Sequence, residues 1–306
     1  MAGPGQVLLE VAAAGVNRAD LLQRQGHYPP PAGVPEWPGL EVSGRVLAVG
    51  EGVSSVREGE AVCALLSGGG YAERVVVDAS LVLPVPRGVD LVEAAALPEA
   101  AATAWSNLVD LARLRAGESV LVHGGSGGVG SFAVQLAAAL GARVLATARD
   151  EARCARVREL GAELAIPYAD AEIPTAVREA TEGRGVDVVL DVLGAGALGD
   201  NLRALATGGR LVVIGLQRGR KGELDLGVLL SRRLTVAGTT LRSRPLAERA
   251  AIVAALREHV WPLLEQGRVR PVVHRALPMD RAGEAHELLD SGEVFGKLLL
   301  VPPAAA

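Results

Sequence analysis

Cysteine and lysine are the scarce residues of this 306-residue chain, and each scarcity narrows what the protein can be. Two cysteines, Cys63 and Cys154, cannot make the disulfide framework of a small secreted domain and fall short of a structural zinc cluster. Lysine occurs only as Lys221 and Lys297; the other basic residues are arginine, a bias shared with the richness in Ala and Gly that still singles out Lys297 for inspection. No stretch is apolar for long enough to span a membrane, and the N-terminus lacks the basic and apolar regions of a signal peptide, so a cytoplasmic protein is expected. A net charge of −4, with acids and bases interspersed, leaves no basic stripe for nucleic acid.

What is present points to a nucleotide. The run VLVHGGSGGVG, residues 120–130, sets a short apolar strand against Gly124, Gly127 and Gly130. Without β-carbons the backbone there can turn sharply and approach a phosphate closely, while the helix that follows aims free N–H groups and its positive dipole end at the anion. That helix is legible: Val129, Phe132, Ala133, Leu136, Ala137 and Leu140 recur at helical spacing, Gly141 ends it, and residues 142–148 read as the next buried strand. Strand, glycine turn, helix and strand make a Rossmann unit, with Gly124, Gly127, Gly128, Val129 and Gly130 as the candidate pyrophosphate cradle.

At 49% hydrophobic residues and 306 residues, the chain exceeds one hydrophobic core, so two domains are expected. Residues 7–86 carry short β-like runs (VLLEVAAA, SGRVLAVG, AVCALL, YAERVVV) separated by Gly and Pro. From residue 91 the composition turns to Ala-rich helix, and parallel strands are expected at 119–122, 143–147, 164–166, 187–191, 210–214 and 234–237. A helical stretch interrupted at Trp261-Pro262, a helix at 281–289 and the strand GKLLLV read as a return to the first domain. The expected fold is α/β: a doubly wound parallel sheet, residues 97–241, inserted in a mostly β domain made of residues 1–96 and 242–306. Ligands of such sheets bind beyond the carboxyl ends of the strands, here toward the cleft expected between the domains.

The segments AGVNRADLLQRQGHYPPP (14–31), GLEVSGRV (39–46), ALLSGGGYAE (64–73), LPEAAATAW (97–105), HGGSGGVG (123–130) and TLRSR (240–244) resemble the zinc-independent quinone oxidoreductases of the medium-chain dehydrogenase/reductase superfamily, the zeta-crystallin group, and within it the tumour-suppressor-inducible type. The resemblance extends over essentially the whole chain. It implies a GroES-like catalytic domain, NADPH (NADP+) as cofactor, no zinc, a small quinone or enone as substrate, and a homodimer or homotetramer joined through edges of the nucleotide-binding sheets. It also implies a strand and hairpin ahead of GQVLLEV, where this chain has only a few residues; either the start lies further upstream or an edge with unpaired backbone groups is expected, at a cost to solubility. Where zinc-dependent relatives have Gly-His-Glu, this chain has Gly39-Leu40-Glu41, and Leu40 cannot ligate a metal. An enoyl-thioester reductase is a second reading, since reductase domains of polyketide synthases share the Gly-rich segment; a non-catalytic NADPH-binding protein, crystallin-like or a sensor, is a third.

Individual residues carry two readings each. By resemblance Ala148 holds the position where NAD enzymes place a ribose-binding carboxylate; Arg149 and Arg153 follow and can meet a 2′-phosphate, whereas Asp150 is either a ribose ligand or a helix N-cap. By the same resemblance Tyr168 lies against the adenosine end; read alone it is a surface residue. Asn17 can cap a helix at 18–25 in a capping box with Asp20, and the resemblance adds a hydrogen bond near the nicotinamide. The resemblance implies that Tyr28 is a substrate-mouth phenol and that Thr103 faces the nicotinamide carboxamide; read alone they are a packed loop tyrosine and a buried helical threonine. Asp191 is expected at a strand end beside a cofactor loop at Leu193 and Gly194, and the resemblance gives Gly215 and Leu216 backbone contacts to the nicotinamide. Lys297 matches a glycine-lysine pair at the last strand of the family it resembles, and is either a solvated lysine at a strand start or one near the cofactor phosphate. Arg242 and Arg244 hold acidic groups or end the sheet, Ser67 to Gly70 is a flap or a turn, and the histidines show no metal spacing.

Overall fold

The computed structural model describes residues 1–169 and 171–303, and the chain divides into two compact units. One is Met1–Ala102 together with the segment from Leu241 onward; the other is Thr103–Thr240.

The first unit opens with β1 (Gln6–Val16) and α1 (Arg18–Arg24), continues through β2 (Glu41–Val49), β3 (Ala61–Leu65), β4 (Arg74–Asp78) and β5 (Val82–Pro84), and includes the start of α2 (Pro98–Trp105). Alternating apolar residues of β1, among them Val7, Leu9, Val11 and Ala13, are buried, the period-2 signature of a strand with one face on a core. Rather than leaving β1 with an unpaired edge, the fold lines one side with β2 and the other with β4 along Gln6 to Glu10 and the C-terminal strand along Ala14 to Val16.

The second unit runs β6 (Ser119–Val122), α3 (Gly128–Ala139), β7 (Arg143–Ala148), α4 (Glu151–Glu159), β8 (Leu164–Pro167), α5 (Ile173–Ala180), β9 (Val186–Asp191), α6 (Leu198–Ala204), β10 (Leu205–Val213), α7 (Leu226–Ser231) and β11 (Thr235–Gly238). Its parallel sheet has the order β11-β10-β9-β6-β7-β8. β6 is buried throughout, as befits a central parallel strand covered by helices on both faces. The strand order reverses between β6 and β9, and that switch point is where open α/β sheets take ligands. Leu121, Leu145, Val189 and Leu211, from four adjacent strands, share one core cluster.

The chain then returns to the first unit as α8 (Leu246–Ala255), α9 (Trp261–Glu265), β12 (Val273–Pro278), α10 (Ala282–Ser291) and β13 (Lys297–Val301). β13 pairs antiparallel with β1, so the last strand of the fold closes on the first and carries Lys297 to the end of β1. Among the described residues no helix is long and apolar enough to cross a membrane.

Candidate active site

The glycines after β6 do separate jobs. Gly124 sits at φ +68, the left-handed turn that lets the chain leave the strand. A β-carbon on Gly130 would lie 2.0 Å from the Gly124 carbonyl oxygen, so only glycine lets α3 close on the turn. Gly127, the N-cap of α3, has ordinary extended geometry, and its nearest neighbour to an added β-carbon is 3.4 Å away; the protein itself does not demand glycine there. Gly128, Val129 and Gly130 open α3, where N–H groups have no acceptor within the helix, and Ser126 through Val129 stay partly accessible. Thr147 braces the turn from the neighbouring strand: its carbonyl accepts from Gly125 N at 2.8 Å and its hydroxyl from Gly124 N at 3.1 Å. His123 is buried against Thr147 Oγ1 (3.2 Å) and Asn201 Oδ1 (2.7 Å), and burial depresses its pKa, which fits a neutral bracing residue.

At the end of β7, Ala148 is fully buried and offers no carboxylate. Asp150 caps α4, accepting from Arg153 N at 2.9 Å, and pairs with the Arg153 guanidinium at 2.7 Å. Its two oxygens are thus engaged in holding the helix start. Arg149 is exposed, and Tyr168, half exposed, donates its N–H to the Ala148 carbonyl at 3.0 Å, which brings the ends of β7 and β8 together. Asp191 closes an Asx turn at the end of β9, accepting from Leu193 N (2.9 Å) and Gly194 N (2.8 Å). Gly215 follows β10, where a β-carbon would come within 2.7 Å of the Val192 carbonyl, and Leu216 is exposed beside it. The loops after β6, β7, β9 and β10 therefore emerge from one edge of the sheet, its carboxyl end.

In the first unit, the structure gathers residues from distant parts of the chain around Glu41. Its Oε1 accepts from Asn17 Nδ2 at 2.9 Å and pairs with the Lys297 ammonium; its Oε2 accepts from Glu99 N at 2.8 Å. Lys297 also donates to Asn17 Oδ1 (2.7 Å) and the Val16 carbonyl (3.2 Å). The solvated strand-start lysine of the sequence reading is therefore corrected, and so is the cofactor-phosphate role: the ammonium is 4% exposed and its three donors are already taken by carbonyl, amide and carboxylate. Asn17 and Asp20 form the capping box of α1, with Asp20 Oδ2 accepting from Asn17 N at 2.7 Å. Asp20 is fully buried and also accepts from Gly39 N (2.9 Å) and Tyr71 OH (3.2 Å); burial pushes it up to about 6 against those donors and Lys297.

Tyr28 is half-buried, with the Arg242 guanidinium 5.3 Å above its ring, and burial, then the nearby Glu99 charge, raises its pKa. Arg242 is itself buried, donating to the Ser67 carbonyl (2.6 Å), Gln23 Oε1 (2.8 Å) and the Tyr28 carbonyl (3.4 Å), so it ties loops together in place of ending a sheet. Ser67 to Gly70 is a packed turn, exchanging Trp37 Nε1 and backbone bonds with Trp37 and Gly39. Thr103 is partly exposed in α2; its carbonyl accepts from Asn107 Nδ2 at 2.8 Å in a π-helical turn, and Thr239 Oγ1 donates to Asn107 Oδ1. Glu41 and Glu99 escaped the sequence reading as functional groups. Glu99 did leave a signal, as the one charge in the apolar stretch between Glu93 and Asp110.

The alcohol dehydrogenase GroES-like domain family matches residues 3–87, and the zinc-binding dehydrogenase family matches residues 128–257. A quinone oxidoreductase of Rattus norvegicus is 34% identical over 97% of this chain and 89% of its own length. The chain belongs to the medium-chain dehydrogenase/reductase superfamily. The same fold is seen in an Escherichia coli quinone oxidoreductase solved in complex with NADPH, at TM-score 0.87 and 28% identity over 99% of this chain and 94% of that one. A mycocerosic acid synthase-like polyketide synthase of Mycobacterium tuberculosis is 36% identical over 99% of this chain, which corresponds to 14% of the synthase.

The zinc named by one of the two matching families does not fit the residues of this chain. Leu40, beside Glu41, is a buried apolar side chain where zinc-dependent relatives have histidine, and the positive charge against Glu41 is the Lys297 ammonium. Cys63 and Cys154 lie in different units, and burial raises the pKa of both thiols. NADPH, by contrast, fits what the second unit offers: a glycine cradle, open helix N–H groups and a strand end without a carboxylate.

Proposed function

We propose that this chain is an NADPH-dependent quinone oxidoreductase or enone reductase that works without a metal. The observation that carries the reading is the cradle of Gly124, Gly127 and Gly130 at the start of α3, followed at the end of β7 by Ala148 and Arg149 in place of a carboxylate. When bound, NADPH supplies a hydride. The chain supplies orientation: the N–H groups of Gly128, Val129 and Gly130 hold the pyrophosphate, Arg149 and Arg153 the 2′-phosphate, Tyr168 the adenosine end, and Leu193, Gly215 and Leu216 the nicotinamide half. Asn17 and Thr103 fix the reacting groups, and Tyr28 donates a hydrogen bond to the acceptor carbonyl. Asn17 is well suited to a fixed role, because Lys297 and Glu41 hold both ends of its amide.

Following reduced-nicotinamide absorbance with NADPH or NADH against quinones, a short enone and an enoyl thioester tests this reading. NADPH-selective oxidation with a quinone or enone supports it. Turnover confined to the thioester supports the enoyl-thioester alternative, which the likeness to a stretch of a polyketide synthase favours. NADPH binding without turnover of any acceptor overturns both in favour of a binding protein. Arg149→Ala is expected to lower the preference for NADPH over NADH roughly tenfold to a hundredfold, the loss of one charge-assisted contact, as read from the two cofactor affinities. The reading extends to a homodimer or homotetramer through β11, an edge strand with Val236 exposed, and light scattering on the purified protein checks that assembly.

A further inference from the structure

Reduction of a quinone or enone by hydride leaves negative charge on the acceptor oxygen, and a proton must arrive there. Tyr28 is poorly suited to give it up. Burial and the neighbouring Glu99 both hold its phenol protonated, so it serves as a hydrogen-bond donor more than as an acid. Glu99 differs in three respects. Its backbone N–H is fastened to Glu41 Oε2 at 2.8 Å, which fixes the start of α2. Its carboxyl group takes no hydrogen bond or ion pair from any described residue, although the carboxylates around it are engaged with Lys297, Asn17, Gly39 and Tyr71. And the residue is only partly buried, with its charge felt by Tyr28. In α2 it stands four residues before Thr103, one turn away on the same helix face.

We propose that Glu99 is the proton donor of this reductase, a catalytic residue that delivers its carboxyl proton to the oxygen of the quinone or enone. The inference rests on the reductase reading above. As the acceptor takes hydride from the reduced nicotinamide, the Glu99 O–H bond breaks and an O–H bond forms at the acceptor oxygen. A quinone that takes the hydride at one carbonyl oxygen and the Glu99 proton at the other leaves as hydroquinone; an enone, hydrided at its β-carbon, leaves as an enol that tautomerises to the ketone. Glu99 is left as a carboxylate and regains a proton from water. Every charge around it bears on the timing. Glu41 on β2 and Asp20 on α1 oppose the carboxylate, Lys297 on β13 and Arg242 favour it, and Tyr28 and Arg249 on α8 also feel its charge. Burial is the largest influence and, with Glu41, pushes Glu99 up to about 8, so the acid form is held at neutral pH.

The test has two readouts. In the full-length protein without cofactor, infrared difference titration should show a carboxylic-acid carbonyl band lost as pH rises past about 8, and Glu99→Gln, nearly isosteric, should lack it. With NADPH and a quinone or enone, wild-type kcat should fall over the same pH range. Glu99→Gln should lower kcat at neutral pH by roughly a hundredfold and remove that fall, with NADPH affinity by fluorescence unchanged. Glu99→Asp should keep a pH-dependent rate. Absence of the band, or a Glu99→Gln enzyme with wild-type rate and pH profile, overturns the proposal while leaving the reductase reading intact. A wild-type protein that reduces no acceptor overturns both.

Discussion

Gly127→Val is expected to fold normally and to lose about a hundredfold in NADPH affinity, near 2.7 kcal/mol. The expectation rests on a difference between glycines that look alike in sequence. At Gly130 an added β-carbon meets the backbone of Gly124 at 2.0 Å, so substitution there damages the turn and the helix, and lost binding would say little about phosphate. Gly127 has φ −80 and ψ 175, open to any residue, and its nearest obstacle is 3.4 Å away. A valine side chain there stands over the partly open N-terminus of α3, where a pyrophosphate would lie. Replacing the N-cap glycine costs the fold about 1 kcal/mol at most. Thermal melting should therefore change little while fluorescence titration with NADPH shows the loss. A stable variant that still binds NADPH tightly would remove the phosphate from this turn.

The same glycines show what a sequence can and cannot announce. The doubly wound sheet was legible because central parallel strands are buried on both faces and read as short apolar runs: 119–122 and 187–191 were expected, and β6 and β9 lie there within a residue. β10 begins at Leu205, five residues before the expected start, since Leu205 and Arg210 join through a register shift and a turn with Gly208 at φ +78. No periodicity marks such a bulge. The residues around the cradle were legible for the same reason as the strands: their spacing is local. The cluster at Glu41 was not. Asn17, Glu41 and Lys297 are brought together by β1 pairing with β2 and β13, and Glu99 joins them through its N–H at the start of α2, a juxtaposition that topology creates and neither spacing nor composition records. Lys297 stands out in the sequence through the rarity of lysine and its place in a Gly-Lys pair at the last strand, and neither signal announces a buried ammonium.

Lys297→Met is expected to destabilise the first unit by about 3–5 kcal/mol, read from urea unfolding of the intact chain. The side chains of Lys297 and Glu41 are 4% and 0% exposed, and deleting the ammonium leaves the buried Glu41 carboxylate with Asn17 Nδ2 and Glu99 N as its donors among the described residues. Most of the cost is that of an uncompensated buried charge, not the net worth of the pair. It follows that Lys297→Met combined with Glu41→Gln should recover most of the lost stability, because the neutral amide still accepts at one end and no longer carries charge. Reductase activity should not return with it. Asn17 would lose the ammonium that fixes its Oδ1, and the group proposed to orient the reacting atoms would be free to rotate. A single variant that unfolds at the wild-type midpoint would show that the Lys297 ammonium is not what compensates Glu41 in the fold.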